Sequence, residues 1–182
     1  MKKYVNGKEL VKRILEGEED FREIALPKYT DLTTFVPELN EYLRKKDFAG
    51  IDFSNSELIG IVAPEIILNR ASLNYASLDE ANIWCAKTLE KICLAESKGI
   101  SFFQISGIGS RNDITTFILV PYKIEPDNSF EERIRVDVGC YNSRLPEFLR
   151  QVGSTHDKNN FSGEYLSAVE YAKNYFKSRG LN

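Results

Sequence analysis

Between residues 51 and 90 the apolar positions recur every five residues, a spacing that suits neither an α-helix nor a β-strand. One series runs Phe53, Leu58, Ala63, Leu68, Leu73, Leu78, Ile83, Thr88, and seven of its eight members are apolar. Two residues ahead of each lies a second series, Ile51, Ser56, Ile61, Ile66, Ala71, Ala76, Ala81, Ala86, again with seven of eight apolar. The other three phases hold seven apolar residues in 24 positions, so two phases are selected against the background of the same segment. A chain with this period turns at fixed intervals. A large side chain points inward at each step, and a small one two places earlier lets the walls approach.

The stretches Arg70-Ala71-Ser72-Leu73, Tyr75-Ala76-Ser77-Leu78 and Glu80-Ala81-Asn82-Ile83 resemble the A-[DN]-L-x-x unit of the pentapeptide-repeat family. That resemblance implies a right-handed quadrilateral β-helix, with four pentapeptides to each square coil. About twelve units fit in residues 51–109, or about three coils. The expected fold is therefore mainly β with helical flanks. A short β-helical solenoid at 51–109 is capped by an N-terminal helical segment (1–50) and by a C-terminal α+β module (110–182). Lys91 and Lys98 fall on inward phases, so the register slips or an insertion interrupts it there. A competing reading of 79–98 is an amphipathic helix with Ala81, Cys85, Leu89 and Ile92 on one face and Gly99 as its stop. Continuity with the preceding repeats favours the repeat.

In the N-terminal flank, Asn6 and Glu9 have the spacing of a capping box ahead of Leu10, Val11, Ile14 and Leu15, with Gly17 as a stop. An extended piece follows whose apolar side is Phe21, Ile24 and Leu26. A second helix is expected from Pro37, with Leu39, Tyr42 and Leu43 inward. In the C-terminal flank two strands are expected, 115–120 and 134–138. The second alternates Ile134, Val136 and Val138 with Arg133, Arg135 and Asp137. A helix opens at Pro146, with Phe148, Leu149 and Val152 inward, and stops at Gly153. A last helix runs from Ser162 to Gly180, its stripe made of Tyr165, Val169, Ala172 and Phe176. The strings Gly109-Ser110-Arg111-Asn112, Val138-Gly139-Cys140-Tyr141, Leu145-Pro146-Glu147-Phe148, Thr155-His156 and Glu164-Tyr165-Leu166 resemble a module of uncharacterised bacterial and phage proteins. That resemblance implies a capping or oligomerising role and no activity.

Four residues are the candidates for chemistry: Cys140, His156, Arg111 and Asn112. His156 is the one histidine of the chain, and Cys140 follows a strand end beside Gly139. A Cys–His pair makes a thiolate nucleophile and its base, with Asn112 or Asp157 orienting the imidazole. The plainer reading is structural. Cys140 packs under the sheet, His156 holds a loop, and Arg111 and Asn112 cap open backbone groups. Cys85 and Cys93, eight residues apart, match no zinc spacing. Gly107-Ile108-Gly109 lacks the spacing of a phosphate loop. No cofactor and no metal are expected.

With 24 basic and 27 acidic residues the net charge is −3, too weak a surplus for nucleic-acid affinity or for an acidic mimic of DNA. This disfavours the topoisomerase-inhibiting role that the family resemblance also implies. Three cysteines and no apolar signal core suggest reduced thiols in a cytoplasmic protein, and no apolar run spans a bilayer. Tyr4, Tyr29, Trp84, Tyr122 and Tyr141 stand near polar stretches, where aromatic side chains serve as interface anchors. The expected function is that of a non-enzymatic protein-interaction or scaffold protein. Its partner is another protein, it binds no nucleic acid or membrane, and a homo-oligomer is compatible with it. The alternative from another class is a cysteine-dependent hydrolase or transferase using Cys140 and His156.

Overall fold

Every fifth residue of the repeat closes a tight turn. The backbone N–H groups of Ser56, Ile61, Ala71, Ala76 and Ala81 donate to the carbonyls of Phe53, Leu58, Leu68, Leu73 and Leu78, at 3.0 to 3.2 Å. The residue before the donor is left-handed in four of these turns: φ is 61° at Asn55, 64° at Gly60, 57° at Arg70 and 58° at Tyr75. A positive φ at the third position is the mark of a type II turn. Between turns only one residue per side is free to pair. Asp52 bridges Ser72 and Glu57 bridges Ser77, both parallel and twenty residues apart in sequence. The inward residues Phe53, Leu58, Leu73, Leu78, Ala71 and Ala76 are all buried.

The computed structural model describes residues 2–45, 50–63, 66–68, 70–79, 81, 92, 94, 97–109, 113–139, 141–156 and 161–181. Two compact units divide the chain, Met1–Ile100 and Ser101–Asn182.

The first unit opens with β1 (Lys3–Tyr4) and α1 (Gly7–Leu15), followed by β2 (Ile24–Ala25) and α2 (Val36–Lys45). Asn6 caps α1, its side chain accepting the Glu9 N–H at 2.9 Å. Gly17, at φ 101°, ends the turn that follows. Phe21, Ile24 and Leu26 are buried as expected. Their segment also extends the pairing of the repeat, with parallel bridges Asp20↔Asp52, Ala25↔Glu57 and Asp31↔Val62. Ser56, the polar exception in its series, explains itself here. Its hydroxyl donates to the Phe21 carbonyl at 2.8 Å and accepts the Ile24 N–H at 3.2 Å, tying the segment to the repeat. The Phe21 and Phe53 rings stack at 5.5 Å beside it. Asn40 of α2 accepts the Ile67 N–H at 2.9 Å.

The second unit is a four-stranded antiparallel sheet in the order β3 (Ser101–Ile108), β4 (Asp113–Leu119), β5 (Ile134–Val138), β6 (Tyr141–Arg144), with α3 (Leu145–His156) and α4 (Phe161–Ser178). Phe117, Leu119, Ile134, Val136 and Val138 form its core with Leu145, Phe148 and Val152 of α3 and Tyr165, Val169, Ala172 and Phe176 of α4.

These elements correct the expected architecture. The regular elements of the described residues are a two-stranded parallel sheet, a four-stranded antiparallel sheet, four α-helices and a short 3-10 helix at Thr33–Phe35, and no β-helix or solenoid is among them. Two physical causes stand behind the correction. A turn at each fifth residue leaves isolated one-residue bridges where a β-helix would need strands. Residues 101–108, expected as the last repeats, are instead an antiparallel strand with a register shift between Ile105 and Ile108, where Gly107 takes φ 75°. Of the 79–98 segment, residues 80, 82–91, 93, 95 and 96 lie outside the described residues, Cys85, Trp84 and Cys93 among them. Lys98 itself bridges Ser77, one residue beyond the twenty-residue spacing, so a single extra residue displaces the register there. α3 runs on through Gly153, since an exposed glycine costs a helix only about 1 kcal/mol. Arg133 and Asp137 are buried although they alternate with the core residues of β5. Arg133 donates to the Val120 carbonyl at 3.1 Å and Asp137 accepts from Asn142 at 2.9 Å. Among the described residues no helix is long and apolar enough to cross a membrane.

Candidate functional site

Among the described residues the longest row of pairs lies on one side of the first unit. Five parallel partners follow one another: Tyr4↔Ala25, Ala25↔Glu57, Glu57↔Ser77 and Ser77↔Lys98. Their neighbours in sequence, Ile24, Leu26, Ser56, Leu58, Ala76 and Leu78, point inward and are buried. Ala25, Glu57 and Ser77 therefore share the outward face, and Tyr4 and Lys98, both exposed, end the row. Lys2 and Glu57 form an ion pair at 2.9 Å on it.

Both edges of this face are turns, and each carries an exposed tyrosine in the left-handed region. On one edge Asn55 donates its N–H to the Asn74 carbonyl at 2.9 Å, which brings the turn containing Tyr75 into line with its own. On the other edge Tyr29, φ 60°, lies over Gly60, φ 64°. A Cβ built on Gly60 would fall 2.3 Å from the Tyr29 ring, so the missing side chain of Gly60 is the seat of that ring. Tyr4, Tyr29 and Tyr75 are 71%, 60% and 59% exposed; Tyr4 ends the five-membered row, and Tyr29 and Tyr75 stand on its two edges. A bulky residue at positive φ costs about 1–2 kcal/mol. Asn55 and Gly60 fill the same place in neighbouring turns at less cost, and Arg70 fills it at a similar one. Both rings nonetheless remain more than half exposed to solvent.

Tyr4 and Tyr29 stood out in the sequence; Tyr75 did not. The signal was present, since it occupies the turn position that Asn55 and Gly60 fill in the earlier units. Of the other aromatic candidates, Tyr122 is exposed beneath the Arg133 guanidinium at 5.5 Å, and Tyr141 packs on Phe148 at 6.2 Å and is no surface anchor.

His156 closes α3, while Arg111, Asn112, Cys140 and Asp157 lie outside the described residues. The pairs Ile108↔Asp113 and Val138↔Tyr141 put the ends of β3 and β5 and the starts of β4 and β6 at one end of the sheet. Gly109 donates its N–H to Glu164 in the first turn of α4 at 2.6 Å, so the start of α4 adjoins the same end. Among the described residues no group of three His, Cys, Asp or Glu is placed to hold a metal ion.

The first unit also holds a partly open apolar cavity of about 50 Å³, lined by Leu10 and Ile14 of α1, Leu39 of α2, and Leu58, Leu73 and Leu78. That is about a third of the ~150 Å³ that accommodates benzene. At ~24 cal/mol per Å³ it costs about 1 kcal/mol as a packing void. On the side next to the tyrosine-edged face, Arg22 grips Asp20 at 2.7 and 2.9 Å and holds its carboxyl down at about 2.

Comparison with known proteins finds no family model, no curated protein and no solved structure that matches this chain. The family resemblance rests on the repeat residues alone.

Proposed function

We propose that this chain is a non-enzymatic protein-interaction or scaffold protein whose docking surface is the tyrosine-edged face of the first unit. The observation that carries the reading is the pair Tyr29 and Tyr75, held exposed in a backbone conformation that favours glycine and asparagine. Tyrosine supplies large, rigid contact area with few rotatable bonds, and it is enriched among the residues that dominate binding energy. The face carries charges of both signs, which supports a protein partner rather than nucleic acid.

The test separates stability from binding. Tyr75→Asn places in its turn the residue type that Asn55 provides in an earlier one. Its melting temperature should equal or slightly exceed the parent's, by the equivalent of up to about 1 kcal/mol. The protein retained by the immobilised full chain from its native cell extract should fall by about tenfold or more. Cys140→Ala and His156→Ala should retain that protein fully. Equal retention by Tyr75→Asn, or loss on Cys140→Ala with stability intact, removes the reading.

A further inference from the structure

We infer that the tyrosine-edged face takes an extended, net-neutral peptide segment of its partner, about six residues long and bearing apolar or proline side chains; this rests on the protein-interaction reading above. Size decides first. Five rungs at ~4.8 Å span about 19 Å, and a side holding one bridged residue between two turns is about 10 Å wide. Two folded domains, or two copies of this chain, need about 800 Å² from each partner. The face falls several-fold short of that, while about six residues of extended chain at ~3.3 Å each cross the same distance.

Charge decides next. Lys2 is neutralised by Glu57, Lys3 lies near Glu18, and the exposed Lys28 and Lys98 are balanced by exposed Glu23 and Asp79 at the flanking turns. A strongly acidic or basic segment gains nothing here, so affinity must come from contact with rings. Tyr29 is seated on Gly60 and Tyr75 stands on the opposite edge, so a segment crossing the face meets a ring at either side. Strand addition at β1 is a different mode, and two lysines in the three residues from Lys2 to Tyr4 blunt that edge.

Random peptides of about twelve residues, displayed on phage and panned on the full chain, test the inference. The enriched sequences should be net-neutral and rich in apolar residues or proline. They should bind with micromolar affinity that changes by less than about twofold between low and high salt. Tyr75→Asn and Tyr29→Gly should each weaken binding by about tenfold or more, and Tyr122→Ser should leave it unchanged. Absence of any enriched peptide, or peptides that bind Tyr75→Asn as well as the parent, overturns it. So does a sedimenting dimer that Tyr75→Asn abolishes, since the face then belongs to a second copy. If extract retention depends on Tyr75 while no peptide binds, the inference fails and the protein-interaction reading stands.

Discussion

The two units reach a buried core by opposite routes. In Ser101–Asn182, strands of four to eight residues pair over several residues at a time, with one register shift in β3, and two helices supply the other half of the core. In Met1–Ile100 the described pairing of the repeat is one residue at a time, interrupted by a turn at every fifth position. The second unit places its hydrogen bonds along strands. The first places them along stacks of turns and single bridges, and depends on its inward leucines and on fastenings such as Ser56. A sheet of long strands tolerates the loss of one tie better than a stack with one tie per side.

The comparison breaks most visibly at the cores. Leu78→Ala and Phe176→Ala, each removing a fully buried side chain, should cost about 3–5 kcal/mol. Hydrogen exchange should show Leu78→Ala deprotecting the first unit and Phe176→Ala the second. Deprotection of both units by either variant would mean that they unfold together. Ser56→Ala comes next, at about 1–2 kcal/mol in urea, because it strands the Phe21 carbonyl and the Ile24 N–H in a buried place. A loss below about 0.5 kcal/mol would show that this tie is not what joins the N-terminal segment to the repeat.

The smallest effect concerns acid. Arg144 binds both oxygens of Glu125, at 2.5 and 2.6 Å, and holds that carboxyl below the usual carboxylate range. A folded value below the unfolded one contributes stability that is fully present above the unfolded pKa. It is lost as pH falls from the ordinary glutamate value through the lowered one. The second unit should therefore weaken over that interval, and Glu125→Gln should flatten its stability–pH curve there. An unchanged slope in Glu125→Gln would assign the acid sensitivity to other carboxylates.

Much of the local structure was legible because it is set by local chemistry. Asn6 caps α1, the stripe from Tyr165 to Phe176 makes α4, and Ile134, Val136 and Val138 mark the core face of β5. The five-residue period correctly located the turns and the inward residues from Phe53 to Leu78. What the turns build did not follow from the period, since the number of paired residues per side depends on where each turn closes. The pairing of Asp20, Ala25 and Asp31 was hidden for a related reason. Their partners lie 32, 32 and 31 residues on, offsets that no five-residue count marks. β3 was misread because Phe103 and Ile108 satisfy both the five-residue phase and a strand broken at Gly107. Of the proposed face, Tyr4 and Tyr29 were visible as aromatics near polar residues. Their shared border with Tyr75 needed the register.

The single-bridge row has a consequence for how such a surface changes over generations. Glu57 and Ser77 each sit between two buried neighbours that carry the packing, and Tyr4 and Lys98 are themselves exposed, so replacing any of the four leaves the interior untouched. Surface substitutions of that kind usually stay within about 0.5 kcal/mol. Mutation can therefore rewrite the face one rung at a time, with little penalty in folding, and selection can readdress it to a new partner while the scaffold beneath stays the same.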